Sequence, residues 1–340
     1  MDKVRFISKS NDGHRSAFIS VFERILEEYR LNHTSRYGTD FFLMIDEDLR
    51  SFFASGFINL PFLRRTAGLF FRTGECFRTD SIKYKIKRLL FSLAANSKLY
   101  NIVTIMPHSI DQRFSQVSNG WIYDPQFWDI PYLPETKYID ELAEILINKA
   151  KGRQICVALG AQNTDKGFEF FARIWLSNPA IREKFLFVAA GRVAEGLRSI
   201  ASEIAETGGV ILDRYISDNE LATLYVAADC IWSCYSPAYN QSSGILGRAF
   251  QLGKPSIVRD GSYMNLLADE IGHPNLPLPY DHSPDAATLL SSWKPPQIDQ
   301  DALGKKIEDI RRRDVRTILA MLGIDPALYK SPLDTRPNLT

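Results

Sequence analysis

No apolar run in this chain approaches the ~20 residues that a membrane-spanning helix needs, which argues against an integral helical membrane protein. The opening residues MDKVRFISKSNDG contain no apolar stretch of the signal-peptide kind, so no secretion signal is expected. The chain therefore reads as cytoplasmic, with any membrane contact peripheral and on the inner face. Cysteine is scarce. Cys76, Cys156, Cys230 and Cys234 show no metal-ligand spacing, and Cys230 and Cys234 fall on or beside a predicted strand, so reduced thiols are expected rather than a disulfide framework. Net charge is also nearly absent, at +1 with a pI near 7.6. With no recognised nucleic-acid motif, that balance argues against DNA or RNA as a partner.

What is present is a soluble globular composition, with 45% hydrophobic and 24% charged residues over 340 positions. That length exceeds a usual single core, so two domains are expected. The near-zero charge hides an asymmetry. Residues 1–134 hold 18 Lys and Arg against 14 Asp and Glu, whereas the remainder holds 23 against 26. Positive charge concentrates in 64–88, where Arg64, Arg65, Arg72, Arg78, Lys83, Lys85, Lys87 and Arg88 face only Glu75 and Asp80. Apolar residues are interleaved there, as in KYKIKRLLF. Such a segment suits an anionic membrane surface or a phosphate-bearing acceptor, or else a solvated helix face over buried Phe and Leu.

Periodicity divides the chain. VRFIS (4–8), FFLMI (41–45), AGLFF (67–71) and NIVTIM (101–106) read as strands, with helices over AFISVFERILEEYR and around 86–95. The segment WIYDPQFWDIPYLP (121–134) carries three prolines, cannot be one helix, and reads as a linker. Beyond it, helical and strand patterns alternate through QICVALG, FEFFARIWL, KFLFVAAG, LRSIASEIAE, GVILDRY, DNELATLYVAA and CIWSCY. This alternation predicts an α/β protein: two Rossmann-like domains, each a parallel sheet wrapped on both faces, facing a central cleft. The expected division is an acceptor-side domain over 1–130 and a donor-nucleotide domain over 131–315. A C-terminal helix and tail over 316–340 would then pack back toward the first domain.

The stretch AADCIWSCYSPAYNQSSGILGRAFQLGKPSIV (227–258) is the most informative. A strand runs into a polar loop, and Ser242, Ser243 and Gly244 stand where a helix begins. A helix starting there directs unpaired N–H groups and its positive dipole end at whatever faces it, an arrangement that binds phosphate without a metal. A plain serine N-cap between two core elements explains the same residues.

The second half resembles the donor domain of GT-B glycosyltransferases, specifically family 4-like retaining enzymes. The resemblance spans about 110 residues, through LGAQNTDKGFEFF, FLFVAAGR, YISDNELATLYVAAD and the segment ending GKPSIV, in that order. It implies transfer of a sugar from a nucleotide sugar to a glycan or lipid-linked acceptor, in surface polysaccharide or glycolipid synthesis, with no metal and no further cofactor. The family lysine that pairs with the donor diphosphate corresponds to Lys166, but its arginine is replaced by Ala161. The two family glutamates are replaced by Asn240 and Arg248, so the chain resembles a Ser-Gly variant that meets its donor through backbone N–H groups. An inactive relative that binds nucleotide sugar or glycan, or scaffolds a partner transferase, is the alternative.

On that resemblance the diphosphate is met by Lys166, Ser242, Ser243 and Gly244, with Lys166 also stabilising the leaving group; Arg248, one helical turn past Gly244, falls within reach of the same anion on helix geometry. Base and ribose fall to Gly191, Arg192, Arg214, Tyr215 and Ile216, and the donor sugar to Asn240 and Gln241. Arg214 and Arg248 are equally readable as members of surface salt bridges. On the acceptor side, Asp12 or His14 would orient or deprotonate a hydroxyl, beside Gly13, Arg15 and His108; a capping Asp12, a solvent-facing His14 and a structurally satisfied His108 account for the same residues. Asp46, Glu47 and Asp48 match an Asp-x-Asp metal pattern, but carboxylates at a helix N-terminus account for them equally well.

Overall fold

The computed structural model describes residues 4–9, 14–28 and 38–324, and the chain divides into two units. The first comprises Met1–Leu133 with Lys306–Thr340, the second Pro134–Lys305.

In the first unit, β1 (Val4–Ile7), β2 (Thr39–Phe42), β3 (Arg65–Phe70), β4 (Tyr100–Thr104) and the short β5 (Gly120–Trp121) form a parallel sheet in that order. Side chains alternate across it. Phe41 meets Phe22 of α1 (His14–Glu28) on one face. On the other, Phe42 packs on Phe52 of α2 (Leu49–Ile58), and Phe70 stacks on Phe91 of α3 (Ile82–Ala95) at 4.0 Å. The strand expected over 41–45 ends at Phe42, and Ile45 opens a 3-10 turn. Asp46 and Asp48 have structural roles. Asp48 caps α2 through the Ser51 N–H, while Asp46 accepts from the Phe71 and Arg72 N–H groups and pairs with Lys87 at 2.9 Å.

The segment 121–134 differs from the linker expected. Its prolines do preclude a long helix, giving two 3-10 turns, Pro125–Phe127 and Ile130–Tyr132. Yet Tyr123, Phe127, Trp128 and Tyr132 are buried, so the segment belongs to the first core. Asp314 fastens it, accepting from the Tyr123 N–H and the Trp128 Nε1–H at 2.9 Å each. Burial pushes the Asp314 carboxyl up to about 8.

The second unit holds α4 (Asp140–Ala150), β6 (Gln154–Leu159), α5 (Phe168–Ser177), α6 (Pro179–Lys184), β7 (Phe185–Ala190), α7 (Arg198–Glu206), β8 (Val210–Leu212) and α8 (Asp218–Ala227). Then follow β9 (Cys230–Ser233), α9 (Gly244–Gln251), β10 (Ser256–Arg259), α10 (Tyr263–Glu270), β11 (Asn275–Leu278) and α11 (Ser283–Ser292). Its parallel sheet has the order β11-β10-β9-β6-β7-β8. Strands buried on both sides explain the unbroken apolar runs. Cys156 and Ala158 join α5, α7 and α11 residues in one core, while Ile155, Val157 and Leu159 join those of α4, α8 and α9 in the other. The last helix, α12 (Gln300–Met321), is continuous across the division at Lys305/Lys306, so the chain rejoins the first unit earlier than the residue 316 expected from sequence.

From β6 the chain runs outward through β7 and β8, then returns to the other side of β6 as β9. The strand order therefore reverses between β6 and β9, which pair through Cys156–Cys230 to Ala158–Trp232. Ligands of open α/β sheets bind at such a point, outside the C-terminal strand ends. There the turn before α5 comes unusually close to the end of β9. Gly167 has φ +70°, and a Cβ on it would lie 2.4 Å from the Cys234 carbonyl oxygen.

Gly167→Ala combines a left-handed backbone with that collision, and should destabilise the second unit by about 2 kcal/mol or more, read by urea unfolding. His273 supplies a pH test. Its Nε2 lies 2.9 Å from the Ser256 hydroxyl, and burial pushes its pKa down to about 4. The unfolded chain therefore takes up a proton first. The stability this group contributes is complete above about pH 6.5 and is lost as pH falls toward about 4, by up to about 3 kcal/mol. Unfolding midpoints across that window should fall less steeply in His273→Gln than in the parent chain.

Candidate functional site

The loops at the C-terminal strand ends follow the strand order. The Gly160–Lys166 loop lies between the Gly191–Val193 turn and the loop after β9. Gln162 N–H donates to the Arg192 carbonyl at 2.9 Å, and Ser236 N–H donates to the Asp165 carbonyl at 3.1 Å. Gly191 has φ +136°, and a Cβ there would sit 2.0 Å from the Gly160 carbonyl oxygen, so the two turns can only touch with glycine present. Asp213 accepts from the Val193 N–H at 2.7 Å and ties in the end of β8. The second unit thus gathers Lys166, the Gly191–Arg192 turn, the Arg214–Ile216 segment and 236–244 along one edge.

Lys166 is the centre of this edge. Asn163 accepts from its backbone N–H at 2.9 Å, fixing the turn. Its Nζ lies over the Tyr235 ring at 4.0 Å and the Tyr239 ring at 4.5 Å. Burial works against the ammonium, but the Tyr235 and Tyr239 phenols outweigh it and hold the group above the ordinary lysine range. A half-buried cation that stays charged at neutral pH is the result. Tyr235 is itself buried and shares a 3.0 Å hydrogen bond with the Ser243 hydroxyl.

Ser243 is the N-cap residue of α9, but its side chain makes no capping bond. The first N–H groups of α9 therefore lack both intrahelical and side-chain partners from the cap. Nearby, the buried hydroxyls of Ser236 and Ser242 have no hydrogen-bond partner among the described residues. A cation, a helix start and unmatched hydroxyls on one short loop form a place for an anion with several acceptor oxygens.

Other expected residues have different surroundings. The Asn240 side-chain Oδ1 accepts from Arg259 at 3.2 Å and from the Tyr263 N–H at 2.9 Å, so this side chain braces the loop against β10 and α10. Gln241 and Gly244 are half-buried on the same loop and helix start. Arg248 lies beside the Tyr225 phenol, whose hydroxyl donates to the Ile245 carbonyl. Arg214 pairs with Glu220 at 2.5 Å, and this partner, with the Ser217 N–H, brings the Glu220 carboxyl down to about 2. Arg192 and Tyr215 are exposed, and Ile216 is half-buried.

The acceptor-side residues lie on the first unit. Asp12 and Gly13 fall outside the described residues, while His14 and Arg15 open α1. His108 follows β4. Its Nε2 shares a 2.9 Å hydrogen bond with the Ser118 hydroxyl, which also lies 2.8 Å from the Phe114 carbonyl, and burial lowers its pKa. No group of acidic, histidine or cysteine side chains able to hold a metal occurs among the described residues.

Sequence reasoning missed Tyr235, Tyr239 and Arg259. The aromatic residues in YSPAYN were a usable signal, since a tyrosine just past a buried strand falls at the sheet edge. Arg259 gave none. Its Nε donates to the Tyr235 carbonyl at 3.1 Å and links the loop to the end of β10.

No protein-family model and no curated protein matches the chain. Solved structures do. HepE of Anabaena, in complex with UDP and glucose, is similar at 11% identity and TM-score 0.56, over 94% of this chain and 99% of that one. WaaG, a glycosyltransferase involved in lipopolysaccharide biosynthesis, gives 11% identity and TM-score 0.53, over 92% and 94%. A UDP-forming α,α-trehalose-phosphate synthase from Burkholderia vietnamiensis gives 11% and 0.53, over 92% and 80%. At such identities the likeness is one of fold: the chain carries the two Rossmann-like domains of the GT-B glycosyltransferase fold.

Proposed function

We propose that this chain is a glycosyltransferase that moves a sugar from a nucleotide-sugar donor to a glycan or lipid-linked acceptor, with retention, in surface polysaccharide or glycolipid synthesis. The observation that carries this reading is the anion-ready corner at the β6/β9 strand reversal: Lys166 over two tyrosines, the uncapped start of α9, and the buried hydroxyls of Ser236 and Ser242. The fold neighbours support it, one of them having been solved with UDP and glucose.

The chemistry follows from charge. In transfer, the bond from the anomeric carbon to the diphosphate oxygen breaks and its electron pair leaves on the diphosphate. The acceptor oxygen forms the new bond to that carbon and gives up its proton, in a retaining reaction most directly to the departing phosphate oxygen. Negative charge thus grows on the diphosphate as the sugar becomes oxocarbenium-like. Lys166 and the α9 N–H groups are fixed before the reaction and meet that charge without reorganisation. No metal is assigned to this role.

Nucleoside diphosphates provide the first test. UDP, GDP or another member of a panel should raise the unfolding temperature in a concentration-dependent way. Lys166→Met should weaken that binding about 10- to 100-fold, as expected for loss of a charged hydrogen-bond partner, with the unliganded melting temperature as a control on folding. No shift with any diphosphate would overturn the donor site. Binding without release of diphosphate from any sugar nucleotide would leave a binding protein instead of a transferase. Turnover should survive a chelator, and its abolition would require a metal.

A further inference from the structure

We propose that the first unit docks on an anionic lipid surface through the end of α2, the turn after it and the outer face of α3. The inference is independent of sugar transfer. In α3, Ile82, Ile86, Leu89 and Leu93 recur at helical spacing and form one stripe, opposite the buried Phe91. That stripe points outward: Ile82 is 69% exposed and Leu93 62%. The Phe53 and Phe91 rings meet edge to face at 5.4 Å, placing α2 beside α3. From α2 onward Phe57 and Phe62 are 68% and 70% exposed. Leu63, also exposed, holds φ +53°, a conformation that leucine rarely adopts. The core therefore uses one face of α3 and leaves a second, continuous apolar face in water, more than scattered exposure accounts for.

Charge selects the occupant. Between Leu49 and Ile110 the only acids are Glu75 and Asp80, engaged by Lys87 and Arg78 respectively. Of the basic residues in 64–88, Arg64 is spent on buried Asp40, and Arg72, Arg78 and Lys87 pair locally. Arg65, Lys83, Lys85 and Arg88 have no carboxylate partner among the described residues, and Lys83 and Lys85 flank the α3 stripe on opposite sides. A second copy of this face would bring like charges together. Anionic headgroups above an apolar layer match both features. With no described helix long and apolar enough to cross a membrane, the surface lies on the bilayer.

Flotation with vesicles of phosphatidylcholine, alone and mixed with phosphatidylglycerol, tests this on the full chain. Binding should require phosphatidylglycerol and weaken as salt rises. The doubly substituted chain Phe62→Ser with Leu89→Ser should bind at least ~10-fold more weakly. Lys83→Gln with Lys85→Gln should lose roughly fivefold per cation and show a shallower salt dependence. These side chains are exposed, so unfolding temperature and nucleoside diphosphate binding should stay at parent values. No binding of the parent chain, binding that both variants retain, or self-association dispersed by the apolar variant without any vesicle binding would each overturn the proposal.

Discussion

The contact on which the candidate site depends is the approach of the β6–α5 turn to the end of β9. Gly167 lies against the Cys234 carbonyl, where any side chain would collide. That approach lets Asp165 accept from the Ser236 N–H and sets Lys166 across Tyr235 and Tyr239. The sheet makes the meeting necessary, because β6 and β9 are neighbours exactly where the strand order reverses. Two stretches about seventy residues apart in sequence become one surface through a glycine that permits contact.

The electrostatics follow from that surface. A lysine on an open loop would be a hydrated, mobile charge; over two aromatic faces it is partly desolvated and positioned. Tyr235 also passes the constraint along, through its hydroxyl to Ser243 at the start of α9 and through its carbonyl to Arg259. Asn240 braces the loop through Arg259 and the Tyr263 N–H, so the loop between β9 and α9 is held from both the β10 and the α10 side.

The first unit divides its resources differently. Its core uses aromatic stacking, with Phe52, Phe70 and Phe91 between the sheet and two helices. The same helices keep a second apolar face outside, with cations beside it and no free acid. Packing explains only one face of α3, so the other is informative about what lies beyond the molecule.

Much of the fold was legible in the sequence. Strands such as QICVAL and FLFVAA are buried on both faces, so they appear as apolar runs bounded by glycine and by helical periodicity. The site was legible in part: Lys166 and Ser242–Gly244 stand in recognisable local patterns. The role of Tyr235, the bracing of Asn240 by Arg259 and the inclusion of 121–134 in a core were not. Prolines in that last segment read as a linker because they act locally, whereas the buried Asp314 that fastens its aromatic residues lies almost two hundred residues later. Sequence by itself determined the elements, since periodicity and turn chemistry act over a few residues. Only the tertiary structure decided which loops share an edge, which cations are already paired and which apolar face stays in water, because those depend on strand order and on packing between residues distant in the chain.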